Sequence, residues 1–284
     1  MQNLAFVQRR LGLWQEAEAT FKKALELDPR DFQLLGSIGG EFYTYLRRFD
    51  EPRAAMDRAL EISPDSGSVR ASKAVTFQNE GRLDEAAREL ARIPSDTTDD
   101  FVLSPRINQA IYERHFDQAI TAIERKLSSV PAGQPFDSVT ELALVQLGFC
   151  QQWTGRDADA RQSFSRAIEA VKPKPDGSVP PDATGTPNTL ALAYAGLGEK
   201  AKALEQARRS VKDYDTDAVN KPWAQTTLAQ IQARFGDFDS AIAALPHLLE
   251  VPAGITPADL RFNPLWDPLR KDPRFKKLAG EPPK

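Results

Sequence analysis

The chain of 284 residues has one cysteine, Cys150, and two histidines, His115 and His247. A single cysteine excludes an intrachain disulfide. One cysteine with two histidines also excludes a zinc site of the usual Cys/His type, so no metal or cofactor is expected. Positive charge is not in excess. Lys plus Arg number 37 against 40 Asp plus Glu, a net charge of −3, which argues against a direct binder of nucleic acid or anionic membrane. No apolar run approaches the ~18 residues of a membrane span. The opening Met1-Gln-Asn-Leu-Ala-Phe lacks the basic and apolar stretches of a signal peptide, so a cytoplasmic location is expected. Gly-x-Ser-x-Gly and a phosphate loop ending in Gly-Lys-Ser or Gly-Lys-Thr are both missing. What is present is 41% hydrophobic and 27% charged residues, the balance of a folded protein.

The informative feature is a repeat. Gly12 sits between two stretches of helical pattern, and the layout recurs at Arg47, Gly81, Arg114, Gly155, Gly198 and Gly236. The intervals are 35, 34, 33, 41, 43 and 38 residues, so the later repeats carry loop insertions. Five residues after each marker stand Ala17, Pro52, Ala86, Ala119, Ala160, Ala203 and Ala241. Seven before stand Ala5, Gly40, Ala74, Ile107, Gly148, Ala191 and Ala229. Nine after stand Phe21, Met56, Leu90, Ile123, Phe164, Ala207 and Leu245. Small residues let two antiparallel helices approach closely, and a large neighbour fills the flanking groove. An irregular helical bundle, the bland alternative, has no reason to keep alanine in phase.

This pattern resembles the tetratricopeptide repeat, best in the first repeat (Leu4, Ala5, Gly12, Trp14, Ala17, Phe21, Ala24, Pro29) and well in the fifth (Leu147, Gly148, Gly155, Ala160, Phe164, Ala167). The fourth departs most, with Ile107 and Lys126 at small-residue positions. The resemblance implies an all-α superhelix, a solenoid of about seven helix pairs over residues 1–250. The repeats fall near 1–31, 32–66, 67–99, 100–136, 137–172, 186–218 and 221–250, with a Pro-rich loop at 173–187 and a capping tail at 251–284. Met1 falls inside the first helix, as if the chain were cut from a longer protein or its start codon placed too late. The incomplete first repeat is expected to expose apolar surface open to self-association.

In the tail, Asp272-Pro273 reads as a helix N-cap and first helical residue. Trp266, Leu269, Phe275 and Leu278 are expected to cap the last helix pair, which has no successor. The stretches Trp266-Asp-Pro-Leu-Arg270 and Asp272-Pro-Arg-Phe275 resemble the ends of helical-repeat regions in bacterial signalling proteins. Those regions follow Ser/Thr kinase, nucleotide-cyclase or winged-helix domains, and the likeness implies the regulatory region of such a protein.

Within a tetratricopeptide array the first helix of each pair lines the concave groove. By the resemblance, its non-packing residues here are Phe6, Glu41, Tyr45, Gln78, Asn108, Tyr112, Phe149, Gln152, Trp153, Asn188 and Gln230. Aromatics and amides suit an extended peptide or helix, with amides bonding its backbone and aromatics its side chains. No lysine stands among them, so the carboxylate-binding mode of some members is not supported. His115, His247 and Cys150 form no catalytic constellation, and Gly36-Ser-Ile-Gly-Gly40 has a packing role in the repeat. The expected function is a non-enzymatic scaffold for a protein or peptide partner. The alternatives are a module sensing a small molecule and an enzyme whose site carries no recognisable motif.

Overall fold

The computed structural model describes residues 1–97, 99–130, 138–171 and 186–280. Among them every regular element is helical. Seven antiparallel hairpins follow one another: α1 (Gln2–Arg10) with α2 (Trp14–Leu27); α3 (Phe32–Ser37), extended by a π-helical stretch Ile38–Tyr43, with α4 (Asp50–Ile62); α5 (Gly67–Glu80) with α6 (Leu83–Ala91). Then come α7 (Asp100–Tyr112) with α8 (Phe116–Ser129), α9 (Ser138–Trp153) with α10 (Asp157–Ala170), α11 (Thr186–Gly196) with α12 (Lys200–Asp213), and α13 (Asn220–Arg234) with α14 (Phe238–Glu250). The tail adds α15 (Pro257–Phe262), a 3₁₀ stretch Pro264–Leu269 and α16 (Pro273–Ala279). The chain is an all-α solenoid.

All seven marker residues adopt the left-handed backbone that lets one helix reverse into the next. Five are glycines, with φ between 76° and 87° at Gly12, Gly81, Gly155, Gly198 and Gly236. Arg47 (φ 54°) and Arg114 (φ 64°) take the same conformation against the steric preference of a side chain. The recurrent small residues are the packing seams: Ala17, Ala86, Ala119, Ala160, Ala203 and Ala241 are all 0% exposed. Phe21, Met56, Ile123, Phe164 and Leu245 fill the grooves beside them. Phe164 shows how tight the seam is. A methyl group at Gly148 of its own hairpin, or at Gly196 of the next, would overlap its ring.

The two non-conforming positions of the fourth repeat are accommodated locally. Ile107 is buried in the core, and Lys126 is buried but paired with Asp100. Gly39 and Gly40 lie where the π-helical stretch meets Met56 and Ser72, so the glycine-rich run serves close helix approach. Of the Pro-rich stretch expected at 173–187, residues 173–185 lie outside the described residues, as do 131–137 and 281–284. The helix α11 begins at Thr186, one residue before that stretch was expected to end.

The array curls far enough to meet itself. Arg10, at the end of α1, pairs with Asp217 at 2.6 Å, and the Ala218 amide donates to the Arg10 carbonyl at 2.8 Å. The first hairpin thereby touches the loop between α12 and α13. At the outer side of that hairpin, Met1, Leu4, Val7 and Leu11 are each more than half exposed and lie along α1.

Candidate functional site

The tail positions the site. Residues 253–267 cross the turns of the second, third and fourth hairpins in order. At the second turn the Arg47 guanidinium donates to the carbonyls of Leu248 (3.1 Å), Val251 (2.9 Å) and Ile255 (2.8 Å). Leu248 lies in the last turn of α14 and Val251 just past its end, so Arg47 donates to carbonyls that have no partner within the helix. The Ala253 amide donates to the Tyr45 carbonyl at 3.0 Å. At the third turn Gly81 faces Ala258, Arg261 and Phe262 closely enough that a side chain there would have to push them aside. At the fourth turn Arg114 grips Asp267 with both nitrogens, at 2.7 and 2.8 Å.

Beyond this crossing, Trp266, Leu269 and Phe275 are buried in one cluster with Ala229, Ala233, Ile242 and Leu245 of the last hairpin, and Leu278 packs against it. Asp272 accepts from the Arg274 amide and starts α16 with Pro273 behind it. The tail therefore does two things: it covers the final helix pair and closes one edge of the superhelix.

Behind this closure lies a cavity of about 330 Å³. Its walls come from the first helices α5, α7, α9, α11 and α13, and its floor from residues 253–265. Six of the expected groove residues line it: Gln78, Asn108, Tyr112, Phe149, Trp153 and Gln230. Among the described residues, Asp259 is the only acid in the lining, and no Lys or Arg is there. Asp259 lies deep in the superhelix yet keeps a face on the cavity. Its carboxylate accepts from Trp266 Nε1 (2.8 Å), Asn263 Nδ2 (3.0 Å) and the Tyr112 hydroxyl (3.3 Å). Burial raises its pKa and outweighs the lowering by these three donors. Burial likewise pushes the Tyr112 hydroxyl well above the usual phenol range.

The remaining expected residues divide. Phe6, Glu41 and Tyr45 gather around Arg9, which pairs with Glu41 at 2.9 Å and lies over both rings at 5.0 and 5.3 Å. Glu41 and Tyr45 also line a second, more open cleft of about 350 Å³ with Val75, Phe101 and Ser104. Phe101 is 72% exposed there. Gln152 does not face either space: it donates to the Gly196 carbonyl (2.8 Å) and accepts from Arg234 (2.9 Å). Asn188 is completely buried.

Sequence reasoning missed Trp223, Thr227 and Gln146, which also line the cavity. Helical spacing from residues it did select would have found them. Trp223 and Thr227 lie seven and three residues before Gln230 on α13, and Gln146 three before Phe149 on α9. The tail's share of the lining carried no such signal.

The two histidines and the cysteine stand apart. His115 is exposed beside Glu113, His247 is exposed on α14, and Cys150 is buried with its thiol pushed up to about 12 by that burial. Among the described residues no three His, Cys, Asp or Glu side chains are grouped to hold a metal ion, and no helix is long and apolar enough to cross a membrane.

Comparison with known proteins agrees with this architecture. Tetratricopeptide-repeat profiles match residues 1–31, 142–171 and 222–245, within the first, fifth and seventh hairpins. The cellulose synthase 1 operon protein C of Komagataeibacter xylinus is 27% identical over 263 residues, covering 87% of this chain. The chain spans 18% of that relative's length. The crystal structure of PilW, a type IV pilus biogenesis factor, superposes with a TM-score of 0.53 at 18% identity, covering 86% of this chain and 96% of that one. A tetratricopeptide repeat protein from Parabacteroides merdae gives 0.55 at 14% identity, covering 80% and 81%. These last two likenesses concern the fold alone. The chain thus carries tetratricopeptide repeats at its first, fifth and seventh hairpins, and the left-handed turn of those three recurs in the other four.

Proposed function

We propose that the chain is a non-catalytic scaffold that holds an extended or helical segment of a partner protein on its inner face. The observation that carries this reading is the chain's own tail. Backbone carbonyls of residues 248–255 are held by Arg47, and side chains of the tail by Tyr112 and Arg114. A wall that binds one peptide segment in this way has the donors and the shape for another. The open cleft beside Glu41, Tyr45, Val75 and Phe101 is the stretch of inner surface left for it. An exposed aromatic at the centre of a preformed cleft is the usual anchor of such contacts.

For its setting, the tail motifs that resemble signalling proteins support a regulator, while the 27%-identical relative supports a bacterial repeat protein of the cellulose synthase operon kind. The packing of Trp266 and Phe275 accounts for those motifs without a signalling role, which favours the second setting.

Site-specific photocrosslinking tests the scaffold reading. A crosslinker at Phe101 should capture a partner that one at Arg208, exposed on α12, does not. Tyr45→Ala should weaken the capture. Equal capture from both positions would defeat the assignment of this face.

A further inference from the structure

We propose that the cavity behind the tail is a binding site for a neutral, hydroxyl-rich ligand of sugar size, a free mono- or disaccharide. This goes beyond the scaffold reading and gives chemical content to the small-molecule alternative raised by the sequence. It does not depend on a partner at Phe101, which lines the other cleft.

Polar groups without partners point into this space. Gln230 lines the cavity, is 7% exposed and has no hydrogen-bond partner among the described residues. Thr227, one turn away on the same face of α13, is 1% exposed, and its hydroxyl also has no partner among the described residues. Asn108 and Gln146 share one bond, from Gln146 Nε2 to Asn108 Oδ1 at 3.0 Å, which leaves Asn108 Nδ2 and Gln146 Oε1 available. Asn108 and Gln146 are half-buried, whereas Thr227 and Gln230 are buried, where a polar group is costly unless something bonds it. A group of amides offers both donors and acceptors, which is what hydroxyls require.

The lining also excludes other ligand classes. No Lys or Arg is present to meet a phosphate or carboxylate. The single acid already accepts from Tyr112, Asn263 and Trp266, so no free carboxylate is offered to a ligand ammonium. A wholly apolar guest would leave the amides unpaired. An apolar surface is nevertheless provided. Trp223 lines the cavity with no other aromatic ring of the described residues against it, whereas Trp153 is already packed on Phe149 and Phe116 at 5.7 and 5.0 Å. A pyranose ring has the matching pair of features, an apolar C–H face and a rim of hydroxyls. The volume lies at the small end of the range for small-molecule sites, which fits one or two such rings.

Titration calorimetry and tryptophan fluorescence on the full chain test this. The ligands are glucose, N-acetylglucosamine, maltose, cellobiose and chitobiose, with glucose 6-phosphate and glucosamine as charged counterparts. At least one neutral sugar should bind once per chain, and its charged counterpart should bind more weakly. Gln230→Leu should weaken binding about tenfold, the equivalent of one hydrogen bond, without lowering the melting temperature, because it removes an unpaired buried amide. Trp223→Phe should weaken binding less, and Phe101→Ala should leave it unchanged. The proposal fails if no neutral sugar gives saturable binding, if the charged counterparts bind more tightly, or if Gln230→Leu binds as the parent does. A longer oligosaccharide that binds more tightly than its disaccharide would overturn the size assignment.

Discussion

Two kinds of turn join the helices. Three of the glycine turns, Gly155, Gly198 and Gly236, have nothing within 4 Å of where a side chain would begin. Glycine is there for its backbone alone. The second and fourth turns hold arginine in the same left-handed conformation, at a steric cost of about 1–2 kcal/mol each. Both arginines hold the tail, Arg47 through backbone carbonyls and Arg114 through Asp267. The repeat therefore gives up backbone ease only where a side chain has a distant task. The two arginine turns differ in turn: Arg47 is partly buried against a helix end, while Arg114 and Asp267 are 39% and 41% exposed.

Substitutions can break or sharpen this contrast. Trp266→Ala removes the largest buried side chain of the tail's anchor and should cost about 3–5 kcal/mol in a denaturant titration. An unchanged midpoint would mean that the tail is not anchored there. Arg47→Gly should relieve strain yet destabilise by about 1–2 kcal/mol, because the carbonyls of Leu248, Val251 and Ile255 lose a charged donor. Gly155→Ala should cost about 1 kcal/mol from backbone conformation alone. Arg114→Gly should come out near zero, the relief of strain offsetting an exposed ion pair worth about 0–1 kcal/mol.

The fourth substitution has a pH signature. Burial raises the Asp267 pKa, but donors from Arg114 and Arg270 outweigh it, so the net shift is downward. A lowered carboxylate stabilises the fold above its ordinary pKa, and that contribution is lost as pH falls through the folded value. Arg114→Gly should make the loss at acid pH smaller, measured as the melting temperature against pH.

Much of the architecture was legible in the chain itself. The markers at Gly12 through Gly236 are the left-handed turns, and the alanines at the fixed offset are the seams, because helix approach depends on local side-chain size that a periodic pattern records. The groove was legible by halves. Gln78, Asn108, Tyr112, Phe149, Trp153 and Gln230 share a cavity, since their spacing along successive first helices places them on one wall. Gln152 and Asn188 lie in the same helices but face protein, because one residue of rotation moves a side chain by about 100°. The tail's return across three turns could not be read. It depends on how far the superhelix curls, and curvature is the sum of many small packing angles that no motif encodes. Arg47 and Arg114 look like imperfect glycines until Ile255 and Asp267 are placed beside them.

A linear stack of hairpins can fray from either end, since each unit leans only on its neighbours. Here, bonds between Arg10 and Asp217, Arg47 and Ile255, and Arg114 and Asp267 join residues 207, 208 and 153 positions apart. They fasten the array into a hoop. The hoop should lose its structure as one body and close slowly during folding, because its clasps form only after the chain between them is in place.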